Sequence, residues 1–236
     1  MIELNADIGE GCDDGLLMPY LARASIACGG HAGDVASMQL ALRLAGEQGV
    51  AVGAHPSYPD RARFGRQPLA ASAEDIAAWV TQQTEALAEQ AARLGLRLAH
   101  VKPHGALYNV AARDRGVADA IAQAVAAFDP GLVLIGLSGS QLVEAGRAAG
   151  LKVMNEVFGD RRYQADGQLV SRETPGALIT DAELAAQQAH ALAQGEPVDT
   201  LEGMPLRIRA ETLCLHSDTP NALNIARAVH AALYRG

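Results

Sequence analysis

Residues 100 to 109 read HVKPHGALYN and place two histidines and a lysine within five positions. Alternating apolar residues at Leu96 and Leu98 precede them and an alanine-rich helical pattern follows, which predicts a strand that ends near Lys102 and His104. Histidine can donate or accept a proton near neutral pH. Lysine is a compact donor or a proton-transfer group, and this chain has only two lysines beside seventeen arginines. We therefore predict that Lys102 and His104 are catalytic.

Polar and ionisable side chains also follow the other predicted strands. The patterns predict seven strands, at residues 2–7, 24–28, 50–54, 96–102, 132–137, 151–157 and 212–216. Five of the seven histidines fall at strand ends, whereas His190 and His230 fall in predicted helices. The polar residues at the remaining strand ends are Asp7 and Glu10, His31 and Asp34, His55 and Ser57, Ser138 and Ser140, Glu156 and Asp160, and His216 and Asp218.

Helical patterns separate these strands, and the alternation predicts a parallel sheet. An open doubly wound sheet and a closed barrel are both compatible with it. In a barrel all strand C-termini open on one face, where active sites are built, whereas an open sheet gathers only the loops near its switch point. Polar residues at every strand end favour an irregular TIM-like α/β barrel of about seven parallel strands. Without a composition shift or an internal repeat, we expect residues 1–236 to form a single α/β barrel domain.

Local signals predict where helices begin and where the chain leaves the barrel. Asp34, Ser72, Asp114 and Thr180 have the residue type and spacing of N-cap positions. The loop at residues 56–70 is rich in proline, arginine and glycine, and loops of this length are often functional. We expect two small hairpin excursions, at residues 158–180 and 195–210.

Composition excludes several classes of partner. A net charge of −8 argues against nucleic acid, because phosphate contacts need clustered lysine and arginine. No apolar run approaches the roughly 20 residues that a membrane span needs, and the first residues lack the pattern of a signal peptide. The three cysteines are widely spaced and form no disulfide or metal framework, which predicts a reduced, cytoplasmic protein.

Several sequence segments, taken together, are specific enough to indicate a protein family. They are NADIGEG, IACGGHAGD, GAHPSYPDRARFGRQ, HVKPHGALYN, EVFGDRRY with LVSRETPGALI, and LCLHSDTPNAL. These segments resemble the LamB/YcsF family along nearly the whole chain. The resemblance implies a barrel akin to the glycoside hydrolase/deacetylase superfamily. It also implies an ATP-dependent amidohydrolase, a 5-oxoprolinase, that opens the lactam of 5-oxoproline to glutamate with partner subunits B and C, forming ADP and phosphate.

Lactam hydrolysis sets the chemical requirements of such a site. A five-membered lactam is a resonance-stabilised amide, and phosphorylation of its carbonyl oxygen would make the carbon electrophilic. The site then needs a cation near the oxygen, a base for the water and an acid for the ring nitrogen. We expect Lys102 to stabilise the developing negative charge and His104 or His55 to be the base. Asp7 is expected to orient a histidine or the water.

Further residues are expected to bind the substrate and the nucleotide. Arg66 or Arg161 could clamp the substrate carboxylate by a two-point bond. ATP is the expected cofactor, with Mg²⁺ as its counter-ion. The chain lacks the G-x-x-x-x-G-K-[ST] motif of a P-loop, so we expect ATP to bind mainly on the partner subunits or between them. The other expected substrate-binding residues are Glu10, His31, His216 and Asp218.

Two other functions are compatible with the same residues. Asp7, His31, His55 and His216 could form a divalent-metal site, which would make the chain a metal-dependent deacetylase or a glycoside or amide hydrolase that needs no ATP. The chain could instead be a non-catalytic subunit that binds 5-oxoproline and presents it to its partners. The preferred prediction includes no tightly bound metal.

Overall fold

Seven parallel strands close into a barrel in the computed structural model, which describes residues 2–234. This confirms the predicted α/β, TIM-like fold. The strands, in chain order, are β1 (Glu3–Ile8), β2 (Arg23–Ala27), β3 (Ala51–His55), β4 (His100–Val101), β5 (Val133–Leu137), β6 (Lys152–Phe158), β7 (Val198–Asp199), β8 (Pro205–Leu206) and β9 (Thr212–His216). The short strands β7 and β8 lie outside the barrel. The other strands follow one another around it in chain order, and β9 closes it between β6 and β1.

Helices cover the outside of the barrel and alternate with its strands. They are α1 (Asp14–Leu17), α2 (Val35–Gln48), α3 (Ala73–Arg93), α4 (Gly105–Ala111), α5 (Arg115–Phe128), α6 (Gln141–Ala148), α7 (Ala182–Gln194) and α8 (Ala222–Tyr234), with short 3₁₀ turns at Met18–Tyr20 and Arg61–Arg63. The predicted N-caps at Asp34, Ser72 and Asp114 are confirmed, because each side chain accepts a backbone N–H of the first helical turn. Within residues 2–234, no helix has the length and apolarity that crossing a membrane requires.

Two local predictions need correction. The strand predicted at residues 96–102 is paired only at His100–Val101, because Leu96 and Leu98 pack against the outer core and Pro103 has no N–H to continue the ladder. The cap of α7 is Asp181 rather than Thr180. The Asp181 carboxylate accepts the N–H groups of Glu183 and Leu184, one residue further along than the capping-box spacing suggested.

The hairpin excursions occur where they were expected. Residues 158–180 contain two antiparallel bridges, Arg161 with Leu178 and Tyr163 with Leu169. Residues 195–210 contain β7 and β8, which pair antiparallel. The first excursion folds over the C-terminal end of the barrel and contributes Arg161, Gln164 and residues 168–173 to the wall of a cavity there.

The barrel interior is unusually polar for a fold whose interior is normally filled by bulky apolar side chains. Hydrogen bonds link buried polar groups of different strands, such as the Asn5 amide with the Thr212 hydroxyl at 2.8 Å and the Ser25 hydroxyl with His100 Nε2 at 3.1 Å. His100 fills the space beside Gly53, where a Cβ atom would come within 2.4 Å of the imidazole ring. Buried polar groups need such hydrogen-bond partners. These bonds hold the interior side chains in place beneath the side chains at the strand ends.

Candidate active site

Lys102 lies at the floor of the site and contacts two carboxylates from different strands. Its ammonium is 2.6 Å from Asp7 Oδ1 and 3.0 Å from Glu156 Oε1. It also donates to Asn5 Oδ1 at 2.8 Å and lies 3.3 Å from Cys214 Sγ. All five side chains are almost completely buried, and a buried charge is tolerated only when it is paired and hydrogen-bonded in this way.

Three histidines and a glutamate form a second cluster, which we call the histidine cluster, directly above Asp7. Its members are Glu10, His31, His55 and His104, and one ligand-type atom of each lies within 4.8 Å of the others. Glu10 Oε1 is 2.7 Å from His31 Nε2 and 3.2 Å from His104 Nδ1. His55 Nε2 is 3.0 Å from His104 Nδ1, and Asp7 Oδ2 lies 3.4 Å from the same His55 nitrogen.

Backbone carbonyls fix the tautomers of two of these histidines. His55 Nδ1 donates to the carbonyl of Lys102 at 2.7 Å, and His104 Nε2 donates to the carbonyl of Phe64 at 3.0 Å. Phe64 has φ of 55°, in the left-handed region that costs a non-glycine residue strain, and strain of this kind is concentrated at functional sites. The loop at residues 56–70 therefore contributes the carbonyl that orients His104.

The surroundings shift the pKa values of the two facing histidines, His55 and His104, in opposite directions. Burial alone would lower the pKa of His55, but the Asp7 carboxylate raises it above its ordinary value. Burial lowers the pKa of His104, and it lowers the pKa of His31 to about 4. Neighbouring groups whose pKa values move apart are typical of acid and base pairs.

Two carboxylates of the site, Asp7 and Glu10, stay ionised in spite of burial. Burial opposes ionisation of Asp7, yet the charges of His55 and Lys102 hold its pKa well below the usual range. Hydrogen bonds from His104 and His31 likewise lower the pKa of Glu10 against its burial. Burial would lower the pKa of Lys102, but Asp7 and then Cys214 and Glu156 raise it well above the ordinary value. Asp7, Glu10 and Lys102 are thus charged near neutral pH.

His216 and Asp160 form a third unit at the end of β9. His216 Nδ1 is 3.0 Å from both carboxylate oxygens of Asp160, and its backbone N–H donates to the same carboxylate at 3.1 Å. The Thr219 hydroxyl donates to Asp160 Oδ2 at 2.8 Å. The His216 ring also stacks on Phe158, so its orientation is fixed from two sides.

A cavity of about 890 Å³ opens above these groups and is bordered by arginines. Arg161 is buried in its wall, donates to the carbonyl of Val170 at 2.6 Å, and keeps an Nε–H without a hydrogen-bond partner among residues 2–234. Burial and the neighbouring Arg172 lower the pKa of Arg161 to about 10. Arg66 and Arg172 both contact the Asp218 carboxylate at the exposed rim.

The structure brings all the predicted site residues to this one end of the barrel. Those that line the cavity are Asp7, Glu10, His55, Arg66, Lys102, His104, Arg161, His216 and Asp218, and His31 lies behind Glu10. Their individual roles stay predictions. Asp34 and Ser140, which also follow strands, cap α2 and α6 instead.

The structure divides the set predicted as an alternative metal site. His31 and His55 lie in the histidine cluster with Glu10 and His104, whereas Asp7 and His216 group with Cys214. The ammonium of Lys102 binds Asp7, and the Asp160 carboxylate binds His216, so these two side chains are already engaged elsewhere. In the described residues, a metal that uses His31 would have Glu10 and His104 beside it. A metal that uses His55 would have His104 Nδ1 at 3.0 Å, Asp7 Oδ2 at 3.4 Å and Glu10 Oε1 at 3.8 Å from the His55 nitrogen.

Several members of the site were missed in the sequence analysis, and strand alternation could have found two of them. Asn5 lies two residues before Asp7 and Cys214 two before His216, and residues two apart on a strand share a face. Glu156 was named from sequence as a strand-end residue, but its place beside Lys102 in the site was not predicted. The carbonyl of Phe64 carried no such signal, because it depends on the path of an irregular loop.

Comparisons with known proteins agree along nearly the whole chain. The model of the LamB/YcsF family matches residues 2–236. The A subunit of 5-oxoprolinase from Chloroflexus aggregans is 49% identical over 239 residues, covering 98% of this chain and 94% of the relative. A crystal structure of a lactam utilization protein from Thermus thermophilus superposes with a TM-score of 0.92 at 46% identity, covering 99% of this chain and 96% of that one. This chain belongs to the LamB/YcsF family.

Proposed function

We propose that this chain is the A subunit of an ATP-dependent 5-oxoprolinase, which opens the lactam of 5-oxoproline to L-glutamate together with subunits B and C. Two kinds of observation support the proposal. A relative named as the A subunit of 5-oxoprolinase is 49% identical over nearly the full length. The cavity at the strand ends also combines a charged floor, a histidine cluster and an anion-binding wall, as a small anionic amide requires.

Arg161 is the observation that carries the substrate assignment. Its guanidinium is buried in the cavity wall but makes no ion pair with any residue that the structure describes, and its Nε–H is unpartnered. A buried guanidinium that no carboxylate contacts is only partly compensated, here by the more distant charge of Asp160. A carboxylate is its best-matched ligand because two parallel N–H···O bonds can form. The carboxylate of 5-oxoproline would supply both the charge and the acceptors.

The floor of the cavity suits the reacting amide. With its carboxylate on Arg161, the substrate would direct its lactam group toward Lys102 and the histidine cluster. Lys102 would stabilise negative charge on the lactam oxygen and keep Asp7 ionised. Asp7 and the histidine cluster would take a proton from the attacking water and return one to the ring nitrogen.

ATP would activate the amide before water attacks it. The lactam oxygen attacks the γ-phosphorus, and ADP leaves. Water adds to the activated carbon, the C–N bond breaks as the ring nitrogen takes a proton, and the resulting acyl phosphate is hydrolysed by a second water to glutamate and phosphate.

The cavity volume of about 890 Å³ leaves room beside a small lactam, and Arg66, Arg113 and Arg172 line its outer part, where phosphate oxygens would find cations. Mg²⁺ would accompany the nucleotide, and ATP would be held largely by the partner subunits. The three unpaired cysteines suit a complex that works in the reducing cytoplasm.

The test is glutamate release by the reconstituted complex of this chain with subunits B and C. We expect release only when 5-oxoproline, ATP, Mg²⁺ and all three proteins are present, with one ADP formed per glutamate.

Arg161→Leu should raise KM for 5-oxoproline at least tenfold, since a charge-assisted two-point bond contributes about 1.5–3 kcal/mol. The matched control Arg209→Leu, an exposed arginine outside the cavity, should leave KM unchanged. Ring opening by this chain alone without ATP would support a metal-dependent hydrolase instead, and full turnover without this chain would contradict the proposal.

A further inference from the structure

The histidine cluster contains a conflict between lone pairs that a proton or a metal ion must resolve. His55 Nδ1 and His104 Nε2 both donate to backbone carbonyls, so in the neutral rings the other nitrogens carry lone pairs. Those two nitrogens, His55 Nε2 and His104 Nδ1, face each other at 3.0 Å. Glu10 Oε1, another acceptor, lies 3.2 Å from His104 Nδ1 and 3.8 Å from His55 Nε2. Three electron-pair donors thus converge on one point.

The spacing of these three atoms fits one face of a tetrahedral zinc site. The three separations, 3.0, 3.2 and 3.8 Å, scatter around the roughly 3.3–3.4 Å that separates two ligands of a tetrahedral ion bound at about 2.0–2.1 Å. Two histidines and one carboxylate also leave a fourth position open for water. Glu10, His55 and His104 all border the large cavity, so that open position would face the proposed substrate.

The groups around the three donors resemble the supports that metal ligands need. Metal-binding histidines usually donate their other ring N–H to a backbone carbonyl or carboxylate, which fixes the tautomer. The carbonyls of Lys102 and Phe64 do this here, and Phe64 adopts a strained left-handed conformation to do so. His31 Nε2 lies 2.7 Å from Glu10 Oε1, and its ring stacks on His104 at 3.6 Å. His31 therefore orients Glu10 and His104 and need not be a ligand itself.

The charges around the site are compatible with an added cation. Around this site the structure describes four buried carboxylates, Asp7, Glu10, Glu156 and Asp160. It describes two buried permanent cations, Lys102 and Arg161. Protonated His55, which faces Asp7 at 3.4 Å, would supply part of the missing positive charge, and a divalent ion bound to His55 would take the place of that proton.

We propose that Glu10 Oε1, His55 Nε2 and His104 Nδ1 bind one divalent transition-metal ion of the zinc type. The ion would polarise a water molecule at its open position and supply a nucleophile near neutral pH. With both nitrogens of His55 and His104 engaged, Asp7 rather than these histidines would then take the proton of that water. This site goes beyond the proposed function and does not rest on it, because metal binding can be measured on the chain without ATP, 5-oxoproline or partner subunits.

The test is metal binding by the full chain after chelation and dialysis. Zinc titration followed by elemental analysis should give one zinc per chain, and zinc should raise the melting temperature of the wild-type protein. Cobalt(II) should give the intense visible bands of a four-coordinate site without a thiolate charge-transfer band. Glu10→Gln and His104→Gln should each weaken zinc binding by more than the roughly 10–100-fold that loss of an outer hydrogen-bond partner causes.

Controls separate this site from the other possible metal cluster, Asp7, Cys214 and His216. Cys214→Ala and the exposed His190→Gln should bind zinc as the wild type does. The proposal is overturned if the wild type retains less than stoichiometric zinc, since a proton would then occupy the space between the histidines. It is also overturned if a thiolate band appears, or if Glu10→Gln and His104→Gln melt cooperatively and bind zinc as tightly as the wild type.

Discussion

Replacement of Lys102 by methionine should be among the most damaging single changes to this barrel. The substitution keeps most of the side-chain volume but removes the only ammonium that contacts Asp7 at 2.6 Å and Glu156 at 3.0 Å in the described chain. Glu156 is fully buried and Asp7 nearly so, and removal of one partner from a buried ion pair costs about 3–5 kcal/mol. A domain with an ordinary free energy of unfolding, about 5–15 kcal/mol, would lose a large part of that stability and still fold in most cases.

Denaturant unfolding at pH 7 measures this loss, and the chain supplies a matched control. Its other lysine, Lys152, is exposed at the start of β6, so Lys152→Met should change the free energy of unfolding by less than about 0.5 kcal/mol. Glu156→Gln removes one of the two carboxylates. The double variant Lys102→Met with Glu156→Gln should therefore be more stable than the sum of the single effects predicts, by about 1–3 kcal/mol. A Lys102→Met cost below about 1 kcal/mol, or additive effects in the double variant, would refute the claim that one buried cation binds both carboxylates.

Three further predictions concern stability. Burial raises the pKa of Asp14 to about 6 although its carboxylate accepts the Gly9 N–H, and Glu10 and Asp13 raise it further. Since the unfolded value is about 3.9, ionisation of Asp14 destabilises the fold as pH rises from about 4 to 6. The free energy of unfolding of Asp14→Asn relative to wild type should thus increase between pH 4 and pH 7, and a constant difference would contradict this. Gly53→Ala should cost about 1–3 kcal/mol or more, because the new Cβ would lie 2.4 Å from the His100 ring, and His100→Ala should relieve part of that cost; equal costs in both backgrounds would show that the ring is not the obstacle. Ser72→Ala should lower the melting temperature through a loss of about 0.5–2 kcal/mol without changing turnover, and an unchanged melting temperature would mean that this cap is not needed.

Local sequence patterns predicted most of the fold because the signals are short-range. Alternation and apolar runs located all seven barrel strands, and capping residues located the starts of three helices. The failures lie where a nonlocal contact decides the structure. β4 is short because the chain turns at Pro103, and the cap of α7 moved by one residue to the stronger carboxylate acceptor at Asp181.

The candidate site was predictable as a place but not as a network of contacts. A closed barrel brings the strand ends together, which is why Asp7, His55 and Lys102 could be grouped from sequence. Which carboxylate binds Lys102, and which nitrogen of His104 is free, depends on side-chain packing across the barrel. The carbonyl of Phe64 comes from a loop whose path no periodic pattern encodes.

The turnover of Asp7→Asn in the reconstituted complex tests the central claim most directly. Asp7 lies between Lys102 and His55, and the asparagine keeps its shape without its charge. If the strand-end cavity performs the ring opening, kcat for glutamate release should fall by about 10²–10⁴ while the complex still assembles and KM for 5-oxoproline changes little. The exposed His190→Gln should match the wild type. A wild-type kcat in Asp7→Asn would contradict the account and place the chemistry elsewhere.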